Sequence, residues 1–402
     1  MELELVSDTC LKQKKHKSNA INYDLTILNR LEPLVKWPGG KEKELVHIIP
    51  NLPNRFENYY EPFVGGGAVY MAINGNESFI NDKSKELIGL YNIIKSDERD
   101  IFFKTLDEIM HNWDILGKLV ENNSLYFIEI YKKFSSDSIT ENSLKNSLYE
   151  FILTHTDEFN GMFSTIFNFN IENFIFEIKK NLIRKIKRMK ELEKKLHLLP
   201  DKDILDNIET SLKSAFYMHF RHLYNSNIEY NINQAFVIAI FLFIRNFAYS
   251  GMFRFNSKGE FNVPYGGIGY NKKNFRKKIT YLKSKKLFER LKTTIIANDD
   301  FEKFLEIHKP TKDDFIFLDP PYDSEFSTYE QNEFTRRDQE RLANYLINKT
   351  EAKWMMIIKN TEFISNLYSN SGLNISSFDK TYLVSFMNRN NKKTEHLLIR
   401  NY

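Results

Sequence analysis

Tyr59-Tyr60-Glu61-Pro62-Phe63-Val64-Gly65-Gly66-Gly67, running into Ala68-Val69-Tyr70-Met71-Ala72-Ile73 and then Phe79-Ile80-Asn81-Asp82, is the stretch that decides the fold. It reads as a short strand, a glycine loop, a helix and a second strand ending in an acid, which makes one β-loop-α-β unit. Glycines at a strand end let the backbone turn tightly and approach a ligand closely. An acid at the end of the next strand is placed to accept hydrogen bonds from ribose hydroxyls, so the pair spells an adenosine-type cofactor. Three consecutive glycines alone are more often a plain turn, and it is the spacing to Asp82 that raises the reading. Upstream, Leu34-Val35-Lys36-Trp37-Pro38-Gly39-Gly40-Lys41 is turn-rich and leads into the helical spacing Leu45, Ile48, Ile49. Lys41 does not belong to a nucleotide-triphosphate loop, because Val35 stands where the first glycine is needed and Glu42 where Ser or Thr is needed.

The same alternation of strands and helices resumes near the other end of the chain. Thr293-Thr294-Ile295-Ile296-Ala297 reads as a strand, followed by Asn298-Asp299-Asp300-Phe301 and a helical run through Phe304 and Leu305. Phe315-Ile316-Phe317-Leu318 reads as a buried strand that two prolines terminate in Asp319-Pro320-Pro321-Tyr322. An acid at the carboxyl end of such a strand lies where open α/β sheets bind ligands, and Tyr322 offers a flat face beside it. Asp319 and the Pro320 carbonyl can accept hydrogen bonds from an amino group while Tyr322 stacks on the ring that carries it, an arrangement that suits a flipped nucleobase. Further strands are expected at Trp354-Met355-Met356-Ile357-Ile358, over residues 381–387, and at Glu395-His396-Leu397-Leu398-Ile399-Arg400.

Between these halves the character changes to long amphipathic patterns. Ile178, Leu182, Ile186, Met189, Leu192 and Leu196 form a helix stripe whose other faces carry Lys179, Lys180, Arg184, Lys185, Lys187, Arg188, Lys190, Lys194 and Lys195. A basic helix is commonly a solvated one, but a second basic stretch follows from Lys272 to Lys286, and the two together suggest a face that meets a polyanion. Met252, Phe253 and Phe255, the turn Asn256-Ser257-Lys258-Gly259, and Phe261 and Val263 fold back as a hairpin. On it Arg254 can grip a guanine edge or a phosphate, and Tyr249 can wedge against a base step.

Composition bounds the rest. With 402 residues, 42% hydrophobic and 27% charged, the chain can bury a proper core, and its net charge of +4 permits a polyanionic partner without demanding one. A single cysteine, Cys10, excludes an internal disulfide and a cysteine metal cluster, and a cytoplasmic setting is the default. The longest apolar run, Ala235 to Ile244, is half of the roughly 20 residues a spanning helix needs, so a soluble protein is expected.

Taken in order, these stretches resemble the α-class, Dam-like adenine-N6 DNA methyltransferases. The likeness covers Leu34 to Asp82 and Arg245 to Tyr402. It rests on Lys36-Trp37-Pro38-Gly39-Gly40-Lys41, Glu61-Pro62-Phe63-Val64-Gly65-Gly66-Gly67, Asn81-Asp82, the hairpin Gly259-Glu260-Phe261-Asn262-Val263-Pro264-Tyr265-Gly266, Asp319-Pro320-Pro321-Tyr322 and the terminal strand. The resemblance implies a Rossmann-like sheet with helices on both faces, interrupted by a mostly helical target-recognition insert that ends in a β-hairpin. It implies a catalytic domain in two parts at 31–90 and 290–402 and the insert at 91–289 with its hairpin at about 249–266, behind a basic polar leader at 1–30 that Lys12, Lys14, Lys15, His16 and Lys17 mark on their own. S-adenosylmethionine would be the cofactor, with no metal. Trp37, Lys41, Phe63 and Gly65 would line its site, Asp82 would hold the ribose, and Asp300 with Phe301 would flank the adenine ring. Asp319, Pro320 and Tyr322 would take the flipped base, and Tyr249, Arg254, Asn256 and Lys258 would contact double-stranded DNA. Ser250 departs from the pattern, standing where relatives carry asparagine. The expected protein is a monomer, with or without a cognate restriction endonuclease. Transfer to cytosine N4 needs the same hydrogen bonding and stays open as the neighbouring reading. A nicotinamide-dependent dehydrogenase would leave the basic block and Asp319 to Tyr322 unexplained, and intact Asp319 and Tyr322 argue against a mere DNA binder.

Overall fold

The computed structural model describes residues 30–162, 169–322, 334–369, 371–381 and 393–402. Seven strands form one sheet: β1 Tyr59–Glu61, β2 Ser78–Asn81, β3 Thr294–Ala297, β4 Phe315–Leu318, β5 Lys353–Lys359, β6 Asn374–Thr381 and β7 Lys393–Arg400, in the order β3-β2-β1-β4-β5-β7-β6. β1 pairs parallel with β2 and β4, β2 with β3 and β4 with β5, whereas β7 runs antiparallel to both β5 and β6. The strand order turns back between β1 and β4, and the crevice beyond their carboxyl ends is where open sheets of this kind take ligands.

Side chains alternate between two cores, as a pleated strand requires. Tyr59, Ile80, Phe315, Phe317, Met355 and Ile357 face one core, while Tyr60, Phe79, Ile316, Leu318, Met356 and Ile358 face the other. All four residues of β4 are buried, which explains why that strand is an unbroken apolar run. The second core is closed by helices Phe301–His308, Arg336–Asn344 and Glu362–Tyr368. The first core is continuous with the helices of the middle block, notably Arg99–Asn122, Asp201–Asn225 and Gln234–Phe247. Helices thus cover both faces, as expected. The apolar run from Ala235 to Ile244 is a buried core helix, and among the described residues no helix is long and apolar enough to cross a membrane.

Three local expectations are corrected. The helix expected over Ala68 to Ile73 is a compact turn, although the Met71 and Ile73 N–H groups do bond to Gly67 and Val69 at 2.9 and 3.1 Å. Arg290 donates to the Tyr70 and Ile73 carbonyls at 3.1 and 2.7 Å, taking acceptors that a continuing helix would use. β6 was unexpected, since Asn374-Ile375-Ser376-Ser377-Phe378-Asp379 is a polar edge strand. The helix under the basic stripe ends at Glu193, so Leu196 lies beyond it and is exposed. The expected strand at 381–387 and the leader at 1–30 lie outside the described residues, apart from Thr381, which closes β6, and Arg30. Helices Lys85–Lys95 and Lys285–Lys292 run through positions 90 and 289, where the sequence places the edges of the insert.

Candidate active site

The glycine loop leaves β1 under close constraint. Gly65 and Gly67 take φ of +50° and +83°, a left-handed region that side chains resist, and a Cβ on Gly66 would stand 2.3 Å from the Val35 carbonyl oxygen. The loop is tied on three sides: Leu34 N–H donates to the Gly66 carbonyl at 2.9 Å, Tyr91 OH to the Gly65 carbonyl at 3.0 Å, and Val64 N–H to the Asn81 carbonyl at 2.9 Å. Asp82, partly buried just beyond β2, accepts the Gly65 N–H at 3.0 Å and the Ser84 N–H at 2.9 Å. Burial pushes its carboxyl up to about 6, although the N–H groups of Ser84, Gly65 and Lys83 favour the charged form. Asn81 ties β2 to the ends of two neighbours, donating to the Pro62 and Asp299 carbonyls at 3.1 and 3.0 Å and accepting the Asp299 N–H at 2.8 Å.

Beside the loop lies an aromatic cluster. Phe63 stands 5.6 Å from Phe301 and 5.6 Å from Phe334, ring centre to ring centre. Asp300 caps the helix Phe301–His308 through the Glu302 N–H at 3.0 Å and receives Arg341 at 2.6 Å. The cradle suits S-adenosylmethionine: close-packed backbone at the glycines, a carboxylate for a sugar diol, and aromatic faces for a purine. The buried approach of Gly66 to Val35 shows that the loop has no room for side chains, as a backbone cradle requires.

At the carboxyl end of β4 the second half of the site assembles. Lys41 is only 2% exposed, and its ammonium donates to the Asp319 carboxylate, to Tyr322 OH at 3.1 Å and to the Gly39 carbonyl at 2.8 Å. Gly39 turns the chain at φ +75° to deliver it. Pro320 is buried behind this group, and Tyr322 meets buried His396 of β7 edge to face at 5.4 Å. Glu61 ends β1 in the same crevice, buried, with Tyr59 OH donating to it at 2.7 Å. Burial pushes the Glu61 carboxyl well above the usual carboxylate range; Asp319 nearby adds to this, while Tyr59 and Lys41 oppose it.

The fold-back at 249–266 joins this site from the outside. Bridges Ala248–Tyr265 and Phe255–Phe261 pair its arms, and the Asn256 N–H donates to the Glu260 carbonyl at 2.9 Å. Tyr249, Arg254 and Lys258 are exposed, with Arg254 Nε donating to Asn262 Oδ1 at 3.0 Å. Asn256 builds the turn itself: its side-chain oxygen accepts the Lys258 and Glu260 N–H groups, both at 2.9 Å, and its amide nitrogen donates to Glu260 at 2.7 Å. Ser250 sits at φ 52°, a left-handed conformation that asparagine tolerates better than serine. Buried Arg245 pins the fold-back to the cofactor side, donating to the Lys36 carbonyl at 2.8 Å and to the Gly251 carbonyl, with Trp37 packed 5.6 Å from Phe253.

The basic helix Ile171–Glu193 presents less charge than its sequence suggests. Lys180 pairs with Glu177, Lys187 with Glu141, Arg188 with Glu191 and Lys190 with Asp137. Arg276 and Lys283 pair likewise with Asp114 and Asp107. These acids come from other helices as well as its own, so the expected segregation of positive charge is offset locally.

Of the residues named from the sequence, the structure brings Lys41 to Asp319 and Tyr322, Gly65 to Asp82 and Trp37, and Phe63 to Phe301, while Tyr249, Arg254 and Lys258 stand exposed on the fold-back. Sequence reading missed Glu61, Arg245, Gln339, Arg341 and His396. Glu61 carried a usable signal, an acid closing the strand next to the glycine loop.

A family model of the D12 class N6 adenine-specific DNA methyltransferases matches residues 37–207 and 171–384. Among curated proteins, the type II methyltransferase M.CviBI of Paramecium bursaria Chlorella virus NC1A is 24% identical over 378 residues, covering 92% of this chain and all of the relative. The type II methyltransferase M.MjaIII of Methanocaldococcus jannaschii is 26% identical, covering 92% of this chain and 99% of the relative. The DNA adenine methylase of Haemophilus influenzae is 22% identical, covering 84% and 82%.

Proposed function

The chain belongs to the D12 class N6 adenine-specific DNA methyltransferases, and from that premise we propose how its own residues carry out the transfer. It is a DNA adenine-N6 methyltransferase. The adenine amino nitrogen is a poor nucleophile because its lone pair is delocalised into the ring. Asp319 and the Pro320 carbonyl accept its two N–H groups and draw it toward tetrahedral geometry, which localises the lone pair. Tyr322 stacks on the base lifted from duplex DNA. Trp37, Phe63, Gly65, Asp82, Asp300 and Phe301 would hold S-adenosylmethionine, which when bound would supply an electrophilic methyl group on a sulfonium that leaves as a thioether. Lys41, which the resemblance assigns to the cofactor, also bonds Asp319 and Tyr322 and holds both side chains in place. The protein contributes positioning and fixed charge.

Tyr249, Arg254 and Lys258 on the exposed fold-back meet the DNA, with Asn256 shaping the turn that presents them. The insert lies between residues 91 and 289, and its helices also build much of the first core. Work on DNA in the cytoplasm, in restriction-modification or phage and host DNA marking, fits the type II relatives. The observation that carries this reading is Lys41 bonded to both Asp319 and Tyr322 in the crevice between β1 and β4. Tritiated methyl transfer to DNA followed by nucleoside analysis tests it: label is expected in N6-methyladenine, and label in N4-methylcytosine would overturn the base assignment.

A further inference from the structure

One helix touches both ends of the crevice. Arg336–Asn344 starts on a capping box, with the Asp338 N–H donating to Thr335 Oγ1 at 3.3 Å and the Thr335 N–H donating to Asp338 at 2.8 Å. Such a start fixes where the helix begins and which way its side chains leave it. Gln339, only 1% exposed, donates its amide to the Pro321 carbonyl at 2.7 Å, in the middle of the Asp319 to Tyr322 turn. Two residues on, and so on a different side of the helix, Arg341 donates to Asp300 at 2.6 Å, Glu302 at 2.9 Å and Asp338 at 2.8 Å. Its guanidinium also lies 4.9 Å from the centre of the Phe301 ring. A planar fork with five donors is the side chain that can hold three carboxylates and an aromatic face at once.

We propose that Gln339 and Arg341 are positioning residues for the methyl transfer, joined through one rigid helix. Gln339 sets the turn that aims Asp319 and Tyr322 at the target base, and Arg341 sets Asp300 and Phe301 against the cofactor's adenine. This rests on the reading above, in which those residues face base and cofactor. Without Arg341, Asp300, Glu302 and Asp338 would stand together as three carboxylates with Lys349 on Glu302 alone among them, and Asp300 and Phe301 would lose their fixed setting. Without the Gln339 amide, the Pro321 carbonyl would lose its buried donor.

The test uses the full chain, with S-adenosylhomocysteine binding followed by calorimetry and turnover followed by tritiated methyl transfer. Arg341→Met is expected to weaken S-adenosylhomocysteine about tenfold, with kcat at saturating cofactor within about threefold of wild type. Arg341→Lys should regain part of that affinity. Gln339→Met, an apolar side chain of similar length, should lower kcat about tenfold while binding S-adenosylhomocysteine within about twofold of wild type. The double variant should show both losses at once, weaker S-adenosylhomocysteine binding and lower kcat, each of the size seen in its single variant. Unchanged affinity in Arg341→Met, or kcat and affinity falling in both single variants only in proportion to a lowered Tm, would overturn the positioning role while wild type still binds the probe. Wild-type protein that does not bind S-adenosylhomocysteine would instead overturn the cofactor reading, and this inference with it.

Discussion

Lys41 and Asp319 are 278 residues apart in sequence and bonded in the fold, ammonium to carboxylate, with Lys41 almost wholly buried. Taking an ammonium out of water is costly unless acceptors replace the solvent, and here Asp319, Tyr322 OH and the Gly39 carbonyl take the three donors of the group. The pair links the turn after Trp37 to the end of β4, so the amino-terminal segment completes the site that the carboxyl-terminal half begins.

Asp319→Ala should abolish methyl transfer while leaving DNA affinity close to wild type, because the acceptor for the target amine is lost and the hairpin is untouched. Lys41→Met should lower kcat by about a hundredfold, the scale on which preorganised charge acts in a water-poor site. Lys41→Arg should not restore it, since a planar fork does not fit a site built around a point charge. Single-turnover kinetics and filter binding separate the two effects, and near wild-type kcat in Lys41→Met would remove the lysine from the machinery.

Asp82 gives a pH dependence with a definite sign. Burial raises its carboxyl from 3.8 to about 6, so the folded protein keeps this proton longer than the unfolded chain. Its contribution to stability is therefore full at acid pH and is lost as pH rises from about 4 to about 6. Cofactor binding should run the other way, because ribose hydroxyls donate to the carboxylate. Affinity for S-adenosylhomocysteine should fall toward a tenfold loss per pH unit below about 6, and Asp82→Asn should bind weakly with no such slope. Calorimetry between about pH 5 and 8 measures both.

Glu61 is a buried acid held high by burial, with Tyr59 OH at 2.7 Å. An acid raised in the folded state stabilises fully below its unfolded pKa, and that contribution declines as pH rises above it. Glu61→Gln copies the protonated form and keeps an acceptor for Tyr59. Its Tm should therefore fall less than that of wild type between mildly acid and alkaline buffer. Identical slopes in the two proteins would show that Glu61 is not the group responsible.

What the sequence discloses follows from how far each interaction reaches. Phe315 to Leu318, the glycines after Glu61 and the prolines after Asp319 are legible because burial on both faces, tight turning and strand termination act within a few residues. Gln339 and Arg341 are not, since they sit in the polar run Arg336-Arg337-Asp338-Gln339-Glu340-Arg341, whose ordinary reading is a solvated helix. The partners of Lys187 and Lys190 are hidden for a related reason: Glu141 and Asp137 precede them by tens of residues. The turn at Ala68 to Ile73 reads as a helix in sequence, and only Arg290, from the far side of the insert, shows why it stops.

Arg254 stands exposed on the fold-back with its Nε already bonded to Asn262, so its guanidinium is oriented before DNA arrives. Arg254→Ala should relax sequence selectivity by about tenfold if the side chain reads a base edge, and methylation rates on oligonucleotides changed one base pair at a time measure this. A uniform loss on all sequences, with a salt slope lower by about 1, would assign it to a phosphate instead.

Arg245 ties the fold-back to the segment that carries Trp37 and Lys41, and its removal should be felt on both sides. Arg245 is 4% exposed, and its guanidinium bonds the Lys36 and Gly251 carbonyls and lies 5.6 and 5.3 Å from the ring centres of Trp37 and Phe253. Arg245→Met keeps the apolar stem but leaves two carbonyls without their charged donor, a loss of about 2 kcal/mol or more in urea unfolding. Because Lys36 precedes Trp37 and Gly251 lies between Tyr249 and Arg254, both the loop and the fold-back lose a fixed point. Affinity for S-adenosylhomocysteine and affinity for DNA should then fall together, each beyond what the lost stability explains at a temperature where the variant is fully folded. If only one affinity falls, the arginine serves that side alone, and the link between hairpin and cofactor loop is packing without functional consequence.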